Sequence, residues 1–317
     1  MHIALFFWDR LPVPKYGGTQ RIVVYLARGL AAAGHRVTLI AGEGSAVPEA
    51  TLAPVDLTAA RQPEFDIRPH LPAGLDILLS CVPLRRPPEV PWIRRLAGNW
   101  KAGTTGAPNT LYLSRNHAWR HGGEAFVYNG VDPAEFELRR EKADYDLFLG
   151  RLHGVKGYRW AIAGARRAGR RLVLAGGWRP SLRRSVRYVG EVGGARKADL
   201  LAGARCLWMP ALWDEPFGIT LIEALASGTP VLGTRRGSLP EVVSAEVGAL
   251  GDSVGELAAL RDGLDGIDPA ACRARVERHF THHVMAAGYV RMFRQFLATG
   301  VLPPGQTTES GTGSPGH

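Results

Sequence analysis

Residues 214–230 read DEPFGITLIEALASGTP, and they are the most informative stretch of the chain. Pro216 and Gly218 are typical of a loop. Residues 220–226 are apolar and long enough for about two turns of helix, which Gly228 would end. The stretch therefore predicts a loop followed by a short buried helix that begins near Gly218.

Two carboxylates lie on either side of this predicted helix start. Glu215 precedes the helix, and Glu223 lies one turn inside it. The backbone N–H groups of a helix N-terminus attract anions. The arrangement suits a ligand with hydroxyl groups at both ends and phosphates in the middle, as in a nucleotide sugar. The spacing alone would favour a surface glutamate, so the surrounding Pro-Phe-Gly and Ser-Gly-Thr-Pro residues carry this interpretation.

Length and composition indicate a globular protein of two domains. The chain has 317 residues, of which 45% are hydrophobic and 21% charged. One hydrophobic core rarely serves so long a chain. The net charge of +10 comes from 34 Arg against 5 Lys and suits anionic substrates or a membrane surface. No basic run with interleaved aromatic residues is present, so nucleic acid is not an expected partner.

The cysteines and the two ends of the chain allow predictions about redox state, membrane segments and disorder. Cys81, Cys206 and Cys272 are scattered without metal-ligand spacing, which favours reduced thiols in a cytoplasmic protein without a metal site. The apolar start is too short for a signal peptide, and no stretch is long enough to span a bilayer. Residues 303–317 are rich in Gly, Ser, Thr and Pro, and are predicted to be a disordered tail.

Strands and helices alternate twice along the chain. In the first half, strands are predicted at 2–8, 36–40, 75–81 and 110–114, with a helix over 22–30. In the second half, strands are predicted at 145–150, 172–175, 186–189, 206–210 and 231–233, with helices at 158–168 and 197–202. The pattern predicts an α/β protein with two doubly wound parallel sheets. Ligands in such folds bind beyond the C-terminal ends of the strands, so a cleft between the halves is expected.

Four segments resemble a known protein family. They are Glu215-Pro216-Phe217-Gly218 with Glu223, Phe148-Leu149-Gly150-Arg151 with Lys156-Gly157, Tyr16-Gly17-Gly18 with Arg21, and Tyr128-Asn129-Gly130-Val131-Asp132-Pro133. With these segments, residues 1–299 resemble the retaining glycosyltransferases of family 4. The resemblance implies the GT-B fold, in which two Rossmann-like domains face each other across a cleft.

The resemblance assigns roles to the glutamates and to the helix between them. It implies that Glu215 contacts the donor sugar and that Glu223 binds the ribose of the nucleotide. The residues at the helix start that are expected to contact the donor are Phe217, Gly218, Ile219 and Thr220.

Two cations follow the strand that opens the second half. Arg151 and Lys156 lie in a glycine-bounded loop, where they can neutralise the charge that develops on a departing diphosphate. Solvated surface charges are the alternative interpretation. Their place after a strand favours phosphate binding and a reaction that needs no metal or other cofactor.

Gly17 and Gly18 lie between the first strand and the helix that follows it. Glycines let backbone N–H groups approach a ligand closely, although an ordinary tight turn would look the same. The Gly-x-Gly-x-x-Gly pattern of a dinucleotide site is absent, which argues against a dehydrogenase. The resemblance favours a loop beside the donor phosphate or the acceptor.

Two further segments resemble glycosyltransferase motifs. Gly190, Glu191 and Val192 resemble the family's loop that receives the nucleobase. Asp144 and Asp146 match the Asp-x-Asp with which a different glycosyltransferase fold holds a divalent metal. Here they lead into a strand, so they are interpreted as charges at its start, and no metal site is predicted.

The chain departs from the family at one position. Many relatives carry a histidine near the end of an N-domain strand, whereas the counterpart here is Ala97-Gly98-Asn99-Trp100. Asn99 can supply a neutral hydrogen bond in its place. His117, His121 and His153 are other candidates, and each is expected at the surface. The departure leaves sugar specificity and full activity open.

The prediction is an acceptor-binding domain over 1–135 with a helix at 281–299, and a nucleotide-sugar-binding domain over 136–280. The expected activity is metal-independent, retaining hexosyl transfer from a nucleoside diphosphate sugar to an acceptor hydroxyl. The acceptor can be a glycan, a lipid-linked glycan or a small metabolite. The alternatives are a nucleotide-sugar epimerase of GT-B fold and a non-catalytic nucleotide-sugar-binding protein. A basic group is interpreted as a solvated face, with contact to the inner face of the membrane left open: Arg85, Arg86, Trp92, Arg94 and Arg95.

Overall fold

The chain divides into two compact units. The computed structural model describes residues 1–13, 17–62, 64–101, 103–181 and 184–308. Unit 1 comprises Met1–Val13, Gly17–Gly130 and His282–Gln306. Unit 2 comprises Val131–Thr281, and residues 307–308 associate with it.

Unit 1 is a parallel sheet with helices. Its strands are β1 (His2–Phe6), β2 (Arg36–Gly42), β3 (Thr51–Val55), β4 (Ile77–Ser80), β5 (Trp92–Arg95) and β6 (Thr110–Leu111). Its helices are α1 (Gly18–Ala32), α2 (Leu57–Ala60), α3 (Arg115–Arg120) and α10 (His282–Thr299), with a 3-10 turn at Arg68–His70. The strand order is β3-β2-β1-β4-β5-β6.

Unit 2 repeats this architecture. Its strands are β7 (Asp146–Leu149), β8 (Leu172–Ala175), β9 (Val186–Tyr188), β10 (Leu207–Met209), β11 (Val231–Gly233) and β12 (Gly248–Leu250). Its helices are α4 (Tyr158–Arg167), α5 (Gly194–Gly203), α6 (Ile219–Ala226), α7 (Leu239–Val242), α8 (Val254–Leu260) and α9 (Pro269–His279). Its 3-10 turns are Pro133–Glu135, Gly154–Lys156 and Asp262–Gly266. The strand order is β12-β11-β10-β7-β8-β9.

Both sheets have the same doubly wound order, which confirms the predicted fold class. In each unit the first strand is central, the next two strands extend to one side, and the fourth strand returns to the other side. The strand order therefore reverses between β1 and β4 in unit 1 and between β7 and β10 in unit 2. Ligands of doubly wound sheets bind beyond the carboxyl ends of the strands at such a reversal.

A buried ion pair lies in the core of unit 2. Asp146, the first residue of β7, and Arg261 are both buried. Asp146 Oδ1 accepts a hydrogen bond from Arg261 Nη2 at 2.6 Å, and Oδ2 accepts from Arg261 Nε at 2.7 Å. Trp208 Nε1 of β10 also donates to Oδ2, at 2.8 Å. These three bonds hold the core of unit 2 together. The Asp146 carboxylate lies at the N-terminal end of β7, away from the edge where ligands bind.

Asp144 differs from Asp146, although both were predicted to be charges at the start of the strand. Asp144 is exposed and lies 3.4 Å from Arg171. Both aspartates lie at the start of the strand as predicted, but Asp146 is also buried, which the sequence did not indicate. Among the described residues, no group of three or more His, Cys, Asp or Glu side chains could hold a metal ion.

Arg95 corrects the predicted basic face of unit 1. Its side chain is only 2% exposed, so it is not solvated. Arg95 Nε donates to Tyr289 Oη at 3.0 Å, and Nη2 donates to Asn129 Oδ1 at 2.7 Å. Arg94 is half-buried, with its guanidinium 4.9 Å from the centre of the Trp100 ring. These two arginines therefore pack against other residues of unit 1 and do not form part of a solvated basic face.

Residues 303–308 have defined contacts, contrary to the predicted disorder. Gly305 N donates to the carbonyl oxygen of Glu124 at 2.9 Å. Thr308 Oγ1 donates to the carbonyl oxygen of Glu241 at 3.0 Å. The remainder of the predicted tail lies outside the described residues. No helix in the described part of the chain is both long and apolar enough to cross a membrane.

We expect Asp146→Asn to lower the free energy of unfolding by about 3 kcal/mol, because the buried Arg261 then keeps only the partly exposed Asp265 as a counter-ion, at 2.8 Å. The control is Asp144→Asn, whose exposed pair with Arg171 should be worth at most about 1 kcal/mol. Urea unfolding of both variants provides the measurement. Equal, small losses would contradict the assigned role of Asp146.

Candidate functional site

The loops after the strands of unit 2 are joined to one another at the C-terminal edge of the sheet. The loop after β10 meets the loop after β7, because Leu212 N donates to the carbonyl oxygen of Val155 at 2.8 Å. The loop after β8 meets the loop after β9, because Gly176 N donates to the carbonyl oxygen of Gly190 at 2.7 Å. These bonds place the predicted donor-binding residues of unit 2 along one edge.

The Glu215 carboxylate is held by one of its two oxygens. The residue is 8% exposed. Oε2 accepts from Lys156 Nζ at 2.6 Å and from Trp213 Nε1 at 2.9 Å, and the Lys156 ammonium lies 4.7 Å from the centre of the Trp213 ring. Oε1 receives no hydrogen bond from the residues that the structure describes. That oxygen can therefore accept a ligand hydroxyl.

The loop after β11 fixes the backbone at Glu215. Gly237 has φ of 61°, and a Cβ at this position would overlap the backbone of Glu215. Ser238 N donates to the carbonyl oxygen of Glu215 at 2.9 Å. Ser238 Oγ donates to the carbonyl oxygen of Phe217 at 2.8 Å. Only glycine combines this φ with so close a contact.

Lys156 reaches Glu215 because two backbone segments meet without side chains between them. Gly157 has φ of 73°, and a Cβ there would overlap the carbonyl oxygen of Pro210. The loop after β7 therefore contacts the end of β10 directly. Arg151 lies in the same loop and is exposed. Its side chain makes no hydrogen bond or ion pair with the described residues, so its charge is available to a ligand.

Glu223 is paired with a lysine that the sequence analysis did not identify. Glu223 on α6 is 1% exposed, and Lys197 on α5 is 8% exposed. Lys197 Nζ lies 2.5 Å from Glu223 Oε1. A lysine in a helix is ordinarily solvated, so the local sequence carried no signal for this pair beyond the helical position of Lys197.

The start of α6 separates the two carboxylates. Gly218 is the residue before the helix, with φ of 75°. Phe217 is buried, whereas Ile219 and Thr220 are partly exposed. The first N–H groups of a helix have no partner within it and carry its positive dipole. This helix end can therefore bind an anion.

The predicted nucleobase loop lies at the end of β9 and leads into α5. Gly190 pairs with Gly177 in an isolated antiparallel bridge. Glu191 is exposed and Val192 is buried. This loop therefore lies on the same edge as Arg151, and the helix that follows it carries Lys197.

The remaining predicted site residues belong to unit 1. Gly17 precedes α1 with φ of 150°, and Gly18 is the first residue of that helix. Asn99 lies in the loop after β5. All three follow strands at the C-terminal edge of the unit 1 sheet. Tyr16 lies outside the described residues.

Two of the three candidate histidines, both in unit 1, are not at the surface, contrary to expectation. His117 and His121 are buried, whereas His153 of unit 2 is exposed as expected. Burial, and to a lesser extent His121, lower the pKa of His117 to about 3. His117 Nδ1 accepts from Leu113 N at 3.3 Å, so Nε2 carries the proton and donates to the carbonyl oxygen of Gly98 at 3.3 Å. Neutral His117 thereby anchors the residue before Asn99.

The sequence of unit 2 matches a known family. Residues 144–267 match the family described as glycosyl transferases group 1. This range contains all the predicted site residues of unit 2, including both lysine–glutamate pairs.

Curated relatives match over part of their length. An uncharacterized glycosyltransferase of Methanocaldococcus jannaschii is 30% identical over 154 residues, which is 39% of this chain and 39% of the relative. A glycogen synthase of Mycobacterium tuberculosis is 34% identical over 173 residues, which is 47% of this chain and 41% of the relative. The chain thus spans about two fifths of the length of these relatives.

Solved structures match over nearly the whole chain. AviGT4, a glycosyltransferase involved in avilamycin A biosynthesis, is 29% identical, with a TM-score of 0.76 over 95% of this chain and 99% of its own. HepE of Anabaena, solved in complex with UDP-glucose, is 15% identical, with a TM-score of 0.62 over 94% of this chain and 100% of its own. The chain therefore has the GT-B fold, and its residues 144–267 match the group 1 glycosyltransferases.

Proposed function

We propose that the chain transfers a sugar from a nucleoside diphosphate sugar to an acceptor hydroxyl, with retention of anomeric configuration, as in family 4. One observation carries the proposal. Two buried carboxylates, each paired with a lysine, lie before and within a helix whose N-terminus is at the C-terminal edge of a doubly wound sheet. The match to group 1 glycosyltransferases and the likeness to AviGT4 support it.

The donor would bind along the edge of unit 2. Glu223 would accept hydrogen bonds from the ribose, and the backbone of residues 190–192 would receive the base. The N-terminus of α6 and Arg151 would bind the diphosphate. The unpaired Oε1 of Glu215 would accept a hydroxyl of the sugar, which fixes the position of the anomeric carbon.

The chemical step requires stabilisation of the leaving group. The bond between the anomeric carbon and the diphosphate oxygen breaks, and the acceptor oxygen bonds to that carbon on the same face. The acceptor proton passes to the departing diphosphate oxygen, so no separate protein base is needed. Negative charge grows on the diphosphate, and Arg151, Lys156 and the start of α6 would stabilise it. Lys156 has three donors and can serve the diphosphate while bonded to Glu215.

The acceptor would bind to unit 1. Gly17 and Gly18 end the loop after β1, and Asn99 follows β5 on the same edge of that sheet. Asn99 stands where the family carries a histidine, and its amide would offer a neutral hydrogen bond. A glycan, a lipid-linked glycan and a small metabolite are all compatible with this assignment.

A panel of nucleotide sugars tests the proposal directly. We expect incubation with UDP-, GDP-, ADP- and TDP-linked hexoses to release the nucleoside diphosphate from one donor when an acceptor mixture is added. Chromatography follows both the nucleotide and the sugar. Appearance of an epimerised donor would favour the epimerase alternative. Binding without release or epimerisation would favour a non-catalytic binding protein.

The two glutamates should differ in effect. Glu223→Ala should weaken binding of the free nucleoside diphosphate by about 1.5–3 kcal/mol, because it removes a charged acceptor of ribose hydrogen bonds. Glu215→Ala should lower turnover but leave that affinity nearly unchanged, since its ligand is the sugar. Calorimetry and initial rates measure both quantities, and thermal unfolding checks that each variant is folded. Equal losses of nucleotide affinity would refute this division of roles.

Activity should not depend on a divalent metal. We expect the rate to survive EDTA, whereas Arg151→Ala or Lys156→Ala should each lower turnover by about 100-fold, as for loss of one transition-state donor. Arg166→Ala is the control, because Arg166 is an exposed arginine in the last turn of α4. Loss of activity in EDTA with rescue by magnesium or manganese would overturn this part of the mechanism.

A further inference from the structure

Lys197 is a buried cation beside the proposed ribose site. It lies on α5, which begins directly after the predicted nucleobase loop. Its ammonium is 2.5 Å from Glu223 Oε1 and 5.9 Å from the centre of the Phe136 ring. The pair is thus located between the loop assigned to the base and the helix assigned to the diphosphate. No predicted role used this lysine.

The position of the pair distinguishes it from the structural pair in the same unit. The carboxylate of Asp146 is closed by bonds to both of its oxygens and lies at the N-terminal end of β7. Lys197 and Glu223 instead lie on the helices that follow β9 and β10. A buried ion pair is weak support for stability, because desolvation offsets its attraction. The pair lies on two helices that begin at the C-terminal edge of the sheet, which points to a role other than stability.

We propose that Lys197 is a positioning residue that holds the Glu223 carboxylate in the orientation that accepts the ribose hydroxyls. The inference rests on the proposed function, in which Glu223 binds the ribose. A carboxylate on a glutamate side chain has several rotamers, and a bond of 2.5 Å to a buried ammonium selects one of them. The same ammonium balances the charge of a carboxylate that is 1% exposed. Lys197 thus acts through Glu223, and discrimination between ribose and its deoxy forms depends on both.

The test compares ligands that differ only in the hydroxyls. Calorimetry with UDP, GDP and ADP identifies the diphosphate that the 317-residue chain binds, and its 2′,3′-dideoxy analogue lacks both hydroxyls. Lys197→Met should weaken binding of the ribonucleotide by about tenfold or more, in line with loss of a hydrogen bond to a charged group. Its affinity for the dideoxy analogue should change by less than about twofold, since that ligand never used Glu223. Lys197→Arg keeps the cation and should retain a preference for the ribonucleotide.

A half-buried lysine of unit 2, Lys142, supplies the matched control. Lys142 Nζ donates to the carbonyl oxygen of Ala202 at 2.8 Å and to Thr229 Oγ1 at 3.0 Å. Lys142→Met removes a comparable side chain without touching Glu223, so the ratio of the two affinities should stay as in the wild type. If Lys197→Met does not fold, Lys197→Gln, which keeps a donor of similar length without the charge, is measured in the same way.

The other possible results show whether the positioning role of Lys197 fails alone or together with the proposed sugar transfer. Equal weakening of both ligands by the Lys197 substitutions, or no change in either, would overturn the positioning role while leaving sugar transfer intact. A wild-type protein that binds both ligands equally would remove Glu223 from the ribose site and the inference with it. A wild-type protein that binds none of the three diphosphates and releases no nucleotide from any donor of the panel would overturn the proposed function as well.

Discussion

A single buried carboxylate connects the two strands on which the candidate site is built. Asp146 of β7 accepts a hydrogen bond from Trp208 of β10 and two from Arg261. Because β7 and β10 are parallel neighbours, these bonds join the start of β7 to the middle of β10 and hold the two strands together. Arg151 follows one strand and Glu215 follows the other. The geometry of the site therefore depends on a bond at the opposite edge of the sheet.

The two lysine–glutamate pairs make the C-terminal edge of unit 2 less negative than the glutamates alone would make it. A bare carboxylate beside a diphosphate would repel it, whereas Glu215 and Glu223 each have an ammonium within 2.6 Å. The pairs leave the local charge near zero, so under the proposed function the positive end of α6 and the guanidinium of Arg151 would dominate the field at the phosphate. The carboxylates are thus oriented before a ligand arrives, which lowers the cost of ordering them on binding.

The sequence predicted the architecture because apolar runs and glycines mark most strands of the two sheets. It missed β3, β5 and β12, since β3 contains Pro54, β5 ends in two arginines, and β12 reads Gly-Ala-Leu, which contains two poor strand formers. The glutamates were predictable from a continuous motif. Lys197 and the burial of Arg95 were not, because their partners lie far away in the chain: 26 residues separate Lys197 from Glu223, and 194 separate Arg95 from Tyr289. Contacts of that separation are created by the fold and have no local pattern.

The close approach of Gly237 to Glu215 has a mechanical consequence. No methyl group fits between these two backbones, and Ser238 bonds to both the Glu215 and the Phe217 carbonyls. The loops after β10 and β11 therefore cannot slide past each other, and a displacement of one carries the other with it. Arg235, near the start of the second loop, is bonded to Asp252 and Glu256. The contacts that begin at Glu215 thus continue through Gly237 and Ser238 to the loop whose Arg235 is bonded to the first turn of α8.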